Sequence, residues 1–324
     1  MSRLRAVALL TGLLLGAGCS ESQNQPAATG PTIAVIPKGT THSFWRSVEA
    51  GAKQAGQELS VQIIWKGPLK ENDRAMQIAL VEQFVTDGVD GIVLAPLDET
   101  ALVRPVREAA ARKIPVVIFD SALKGEVGKD FISFVATDNY AGGQMAGNEM
   151  IELLGGKGKV ALLRYQVGSA STDDREQGFL DVMAQHPEIQ ILVENQYGGA
   201  TSGESLQKAE EMLDTLRQAD GIFCPNESTT YGMLVALRKH ALAGKVRFVG
   251  FDSSAELVRG LENGEIDALV VQNPRKMGDL AVRTVVDYLH GQKVPERIDT
   301  GVELVTKQNL QEPTIQELVK PIGE

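Results

Sequence analysis

The sequence predicts an α/β protein of two similar lobes, each built on a parallel sheet with helices on both faces. An internal repeat is the first observation behind this. Asp90-Gly91-Ile92 runs through Val93-Leu94-Ala95-Pro96 to Phe119-Asp120-Ser121, and Asp220-Gly221-Ile222 runs through Phe223-Cys224-Pro225 to Phe251-Asp252-Ser253. The opening and closing aspartates are separated by 30 residues in the first copy and 32 in the second. Each copy reads as strand, polar turn, helix, strand, a unit that builds parallel sheets by right-handed crossover. The second observation is that short apolar runs alternate with helical-period segments along the chain, as in α/β folds. The third is size. A chain of 324 residues suits two domains of roughly 100–200 each, and 43% apolar residues can fill two cores. Ligands of open parallel sheets sit beyond the carboxyl ends of the strands. Asp120 and Asp252 both fall there, so each lobe offers a carboxylate to one shared cleft.

The N-terminus stands outside this fold. Arg3 and Arg5 precede an apolar run over 6–15 that is too short to span a bilayer, so 1–18 reads as a secretory signal peptide. Gly16-Ala17-Gly18 before Cys19 resembles the lipobox of bacterial lipoproteins, although its usual Leu is Gly16 here, with Leu15 one place further out. The resemblance implies lipid on Cys19, and Ser20 after it favours the outer membrane where there is one. Residues 19–31, polar with Pro and Gly and without periodicity, form a flexible tether.

The elements then follow in order. Residues 32–37 are an apolar strand and 38–43 a polar turn; Phe44, Trp45, Val48, Ala52, Ala55 and Leu59 recur at helical spacing. A strand over 61–65 and a helix over 73–85, marked by Met76, Leu80, Val81 and Phe84, come next. Strand 92–95, helix 99–113 and strand 115–119 complete a βαβαβ order, and strand 131–136 leads into a helix over 139–154. The pattern restarts with strand 159–163, helix 173–185, strand 189–194 and helix 204–217, where Thr201 and Glu204 have capping-box spacing. The second repeat supplies two strands and a helix over 229–240. Helix 255–263, strand 268–272, helix 275–289 and a strand over 301–305 close the chain. Periodicity alone does not assign the tail beyond 273 to a lobe.

Composition excludes several classes. The formal charge is −10, and −12 once Arg3 and Arg5 leave with the signal peptide, so no nucleic acid is expected. Four scattered histidines and two distant cysteines show no metal-ligand spacing, and no cofactor is implied. There is no G-x-S-x-G elbow, P-loop or dinucleotide fingerprint. Asp120 and Asp252 could pass as a glycosidase pair, but carboxylates on separate moving lobes are poorly fixed for chemistry, so no enzyme is expected.

Several stretches together are similar to the type I periplasmic sugar-binding proteins, the ribose-binding-protein group of ABC-transporter receptors. They are Ile33-Ala34-Val35 followed by Phe44-Trp45, Gly88 to Ile92, Val117 to Asp120, Asp138-Asn139 with Gly142-Gly143, Arg175 with Gly178-Phe179, Pro225-Asn226, Val249 to Asp252, and Gln272. Their order and spacing carry the resemblance over nearly all of 32–310. It implies two Rossmann-like lobes with parallel sheets joined by a three-strand hinge. The N-terminal lobe would take 32–137 and 273–302, and the C-terminal lobe 138–272 and 303–324.

A sugar buried between lobes needs a partner for nearly every hydroxyl, because an unpaired buried polar group costs about 1–3 kcal/mol. Carboxylate oxygens suit this, each accepting more than one O–H bond. The resemblance assigns that role to Asp120 and Asp252, with Arg175 donating a fork of bonds, and with Asn226 and Gln272 at strand ends. The bland alternatives are helix capping for Asp252, turn formation for Asn226, and a surface ion pair for Arg175. Phe44 and Trp45 match the family's aromatic pair, Trp45 being the one expected against the sugar and the other in the core; Tyr197 is a loose match for a facing aromatic. His42 stands where ribose binders have Asn, Ser121 where they have Arg, and Lys38 where they have a small polar residue, which puts ribose itself in doubt. Lys38 and His42 near the mouth would suit an acidic or modified sugar.

The resemblance implies a monomeric, lipid-tethered periplasmic receptor that closes on a monosaccharide or similar polyhydroxylated molecule and delivers it to an inner-membrane ABC permease. The alternative is a sensory receptor for a membrane histidine kinase or chemoreceptor. A sugar-responsive repressor core shares the fold but would carry a DNA-binding helix-turn-helix where this chain has its signal peptide.

Overall fold

A computed structural model describes residues 30–320. The signal peptide, Cys19 and nearly all of the tether lie outside the described residues. Two six-stranded sheets form, one per lobe. The first contains β1 (Thr32–Ile36), β2 (Gln62–Trp65), β3 (Gly91–Leu94), β4 (Val116–Phe119), β5 (Ser133–Ala136) and β11 (Arg297–Asp299). Its spatial order is β11-β5-β4-β3-β1-β2, and every pairing is parallel. The second contains β6 (Gly158–Arg164), β7 (Ile189–Tyr197), β8 (Gly221–Phe223), β9 (Arg247–Phe251), β10 (Ala268–Gln272) and β12 (Val302–Thr306). It runs β12-β10-β9-β8-β6-β7, with only the edge strand β12 antiparallel to its neighbour. The same winding thus occurs twice, which is the structural content of the sequence repeat.

Helices cover both faces of each sheet, so the central strands are buried on both sides and read as continuous apolar runs such as Val-Val-Ile-Phe in β4. In the first lobe α1 (Ser43–Leu59) and α10 (Pro274–Leu289) pack one face through Trp45, Val48, Ala52, Met277, Ala281 and Val285. The other face takes α2 (Arg74–Asp87) and α3 (Val103–Ala111) through Leu80, Phe84, Leu102 and Val106. In the second lobe α4 (Asn139–Leu154) and α5 (Ala170–Ala184) pack one face. The opposite face carries α6 (Ser202–Glu211), α7 (Leu213–Leu216), α8 (Glu227–Lys239), α9 (Ala255–Glu262) and α11 (Pro313–Val319). Thr201 completes the capping box with Glu204 that the sequence predicts at the start of α6.

The chain passes between the sheets three times: from β5 into α4, from β10 into α10, and from β11 into β12. Two of these crossings touch through the Thr137 and Thr300 hydroxyls, 3.2 Å apart.

Several boundaries differ from the sequence reading. The helix expected over 99–113 begins only at Val103, because Asp98 Oδ1 accepts from the Thr100 and Ala101 amides and holds a turn there. The one expected from 173 starts at Ala170, where small polar residues give no apolar period. The segment expected as one helix over 204–217 breaks at Met212 into α6 and α7. Strand β11, only three residues long, and helix α11 were not legible from periodicity.

Candidate ligand-binding site

Both sheets have the doubly wound order in which loops diverge to opposite faces at a switch point, here between β1 and β3 and between β6 and β8. The two switch points face one another across a cavity with about 330 Å³ of atom-free space, part of it open to solvent. That is the lower end of the ~300–1,000 Å³ of small-molecule sites. Nine of the ten residues expected at a ligand line it: Lys38, His42, Phe44, Trp45, Asp120, Arg175, Asn226, Asp252 and Gln272. The tenth, Ser121, is not on its wall; it is fully buried and its Oγ accepts from the Ser171 amide at 3.1 Å.

The two strand-end aspartates share an uncommon backbone. Asp120 has φ +60° and Asp252 φ +69°, a left-handed conformation that few residues other than Gly adopt and that Asp tolerates better than most. The Ser121 amide folds back on Phe119 O at 2.6 Å. Such conformations cost of order 1–3 kcal/mol and cluster at functional sites. The helix-cap alternative for Asp252 does not apply, since Ser254 caps α9. The Asp252 carboxylate instead accepts from Gln272 Nε2 at 2.6 Å and from the Glu227 amide at 2.9 Å. Burial raises its pKa, against the opposing pull of Arg175 and these bonds.

Arg175 is 2% exposed and far from a surface ion pair. Its Nε donates to Asn139 Oδ1 and one terminal nitrogen to Pro225 O, both at 2.9 Å, while its guanidinium lies 3.9 Å from the Phe251 ring centroid. Close packing of α4 on α5 holds it there. A Cβ at Gly143 would stand 2.0 Å from Arg175 O, and one at Gly178 2.2 Å from Tyr140 O, so only glycine permits this approach. Burial lowers the arginine's pKa, with Asp252 and Asp120 opposing. Asn226 lines the cavity and also does what the alternative reading expected, its Oδ1 capping α8 at the Thr229 amide.

The aromatic pair forms one wall. Phe44 and Trp45 meet edge to face at 4.9 Å, and Trp45 meets Phe119 in the same way at 6.1 Å. Both rings line the cavity and both belong to the core of the first lobe. Tyr197 does not face the cavity; it lies 39% exposed at the end of β7. The facing aromatic is Tyr165, which is buried and follows β6 directly.

Lys38 and His42 are committed to carboxylates. Lys38 Nζ lies 3.2 Å from Asp120 Oδ2 and donates to Ser169 Oγ and Ser171 Oγ at 3.1 and 2.9 Å. His42 Nδ1 lies 2.5 Å from Glu71 Oε1. The same Glu71 accepts from Trp45 Nε1 at 2.7 Å and from the Tyr165 hydroxyl at 2.9 Å. Burial works against both charges, but their mutual attraction outweighs it. It raises His42 to about 9, and with Lys38 and Trp45 it lowers Glu71 to about 2. Lys38 and His42 thus line the cavity as expected, with their charge paired within the wall. Three cationic residues (Lys38, His42, Arg175) face four carboxylates (Glu71, Asp120, Glu227, Asp252) on the wall.

Glu71, Tyr165, Ser171, Thr172 and Glu227 were missed in the sequence. Glu227 adjoins Asn226, and Tyr165 sits after a strand at a switch point, so position relative to the strand ends was the available signal. Glu71 lies in a polar loop before α2 and gave none. Among the described residues no group of three metal-ligating side chains could hold an ion, and no helix is long and apolar enough to cross a membrane.

Comparisons with known proteins agree with this fold. The model of the periplasmic binding protein domain matches residues 33–293. The ribose import binding protein of Haemophilus influenzae is 28% identical over 304 residues, covering 94% of this chain and 99% of its own. A periplasmic component of an ABC-type sugar transport system from Hahella chejuensis is 38% identical with a TM-score of 0.82, covering 85% of this chain and 100% of that one. A solute-binding protein of Agrobacterium vitis with bound D-fucose is 37% identical with a TM-score of 0.85, covering 89% and 99%. These relatives are binding components of transporters, and this chain is a binding protein rather than an enzyme. The chain belongs to the periplasmic binding protein family, as a type I, two-lobed member of its sugar-binding branch.

Proposed function

We propose that the protein is the periplasmic receptor of an ABC importer, closing on a monosaccharide or a similar polyhydroxylated molecule. The observation that carries this is the convergence of Asp120, Arg175, Asn226, Asp252 and Gln272, from five separate places in the sequence, on one cavity beside Phe44 and Trp45. Carboxylates, an amide pair and a guanidinium supply acceptors and donors for hydroxyls, and the rings supply an apolar face for C–H groups. The relatives with bound D-fucose and D-arabinose support a sugar as ligand. The lobes are proposed as 32–137 with 273–302 and 138–272 with 303–324, pivoting on the three crossings. Ligand stabilises the closed arrangement because only there do both lobes contact it. Lipid on Cys19 after removal of 1–18 would hold the receptor at a membrane.

The test is thermal unfolding of the chain from residue 20, which contains every described element, against pentoses, hexoses, polyols, nucleosides and amino acids. A ligand at 100 times its Kd adds about 2.7 kcal/mol, a shift of a few degrees for a chain of this length. The expected result is a shift with a sugar that disappears in Asp252→Ala. A shift with a nucleoside or amino acid alone would overturn the sugar assignment.

A further inference from the structure

The cavity wall is unevenly charged, and the excess is localised. Its four carboxylates outnumber its three cations by one. Asp120 has Lys38 at 3.2 Å and Glu71 has His42 at 2.5 Å, whereas among the described residues no ion pair with a basic side chain is made by Glu227 or Asp252. Glu227 spends its oxygens on the Ser43 and Phe44 amides at the start of α1, at 3.1 and 2.9 Å. That helix end offsets about half a charge, so the cavity stays negative. Burial raises the pKa of Glu227 and of Asp252 alike, the cost of holding two neighbouring carboxylates out of water.

A second observation lies beside them. Gln272 is 2% exposed and lines the cavity, its Nε2 fixed as the donor to Asp252. Its Oε1 is buried and has no hydrogen-bond partner among the described residues. An unmet buried acceptor costs about 1–3 kcal/mol unless a ligand supplies the donor. This corner of the cavity, formed by Glu227 at the start of α8, Asp252 after β9 and Gln272 at the end of β10, is therefore rich in acceptors, and its carboxylates are opposed only beyond ion-pair distance, by Arg175 at Asp252 and by His42 at Glu227.

Resting on the sugar-receptor reading, we propose that the ligand is an amino sugar whose protonated amine sits against Glu227, Asp252 and Gln272 Oε1. An ammonium group brings three donors and no acceptor, matching the three acceptors, and its single charge brings the wall to formal neutrality. A neutral hydroxyl brings one donor and leaves the charge excess in place. Charge-assisted bonds are roughly twice as strong as neutral ones, so the amine outcompetes a hydroxyl at the same ring position.

Isothermal titration calorimetry of the purified protein with glucosamine against glucose, and galactosamine against galactose, tests this. At least one amino sugar is expected to bind at least about tenfold more tightly than its hydroxyl counterpart. Glu227→Gln and Asp252→Asn, which keep shape but remove charge, should shrink that ratio even where they weaken all binding. Neutral sugars binding as tightly as amino sugars would overturn the amine assignment and leave the receptor reading standing. The same holds if the ratio stays unchanged in both variants. Binding of neither class would overturn the amine assignment and leave the sugar-receptor reading to the wider panel of pentoses, hexoses and polyols.

Discussion

The buried Glu71 carboxylate shows how one residue organises the first-lobe wall. It accepts from Trp45 and Tyr165 and pairs with His42, so it orients an aromatic of each lobe and a charged imidazole together. The pair has a definite pH window. His42 titrates at about 9 in the fold against 6.5 ordinarily. A raised pKa contributes stability that is fully present below 6.5 and is lost as pH climbs through 9. Glu71 titrates at about 2 against 4.5. A lowered pKa contributes stability present above 4.5 and lost as pH falls through 2. The pair is therefore complete between about pH 4.5 and 6.5. Scanning calorimetry from pH 6.5 to 9 should show Tm falling in the native protein and less steeply in Glu71→Gln. Identical slopes would mean that the pair adds nothing to stability.

At the scale of elements, α1 depends on the opposite lobe. Its N-cap residue His42 makes no side-chain cap bond. Its first amides are instead satisfied by Glu227, which follows them by more than 180 residues. Opening the lobes uncaps the helix, so the contact favours closure. Loss of a cap costs about 0.5–2 kcal/mol, a change of roughly 2- to 30-fold in the closed population. Glu227→Ala is expected to increase the radius of gyration of the ligand-free protein in small-angle scattering and to weaken ligand binding. An unchanged radius would show that this cap does not hold the lobes together.

Other contacts across the cleft, such as Ser121 with Ser171 and Lys38 with Ser169, bring the lobes together over the cavity. Cation, carboxylate and hydroxyl groups from both lobes thus share one network, and the affinity of a ligand includes the free energy of assembling it. The whole protein is also proposed to be held at a membrane by Cys19. Cys19→Ala should shift it from the membrane fraction to the soluble fraction after cell lysis, with thermal unfolding and ligand response unchanged; a variant that stays in the membrane fraction would refute the anchor.

The sequence by itself determined the two wound sheets, because their signals are local. Short apolar runs and period-3.6 patterns set strands and helices, and the repeated Phe-Asp-Ser at the ends of β4 and β9 marked both walls of the cleft. Asp120, Arg175, Asp252 and Gln272 were legible for the same reason, standing at strand ends or in motifs of fixed spacing. Tertiary structure alone decided how those groups are shared. That Lys38 and His42 are neutralised by Asp120 and Glu71 depends on side chains meeting within the folded lobe. That Tyr165 rather than Tyr197 faces the aromatics, and that Glu227 caps a helix of the other lobe, depends on docking segments about 90 or more residues apart. The three-residue β11 likewise exists only because a partner strand is already in place, and the antiparallel pairing of β12, whose strand the sequence did show, depends on β10 lying beside it. Local propensity fixes where a backbone turns, but a polar side chain takes its role from whatever the opposite lobe brings within about 3 Å of it.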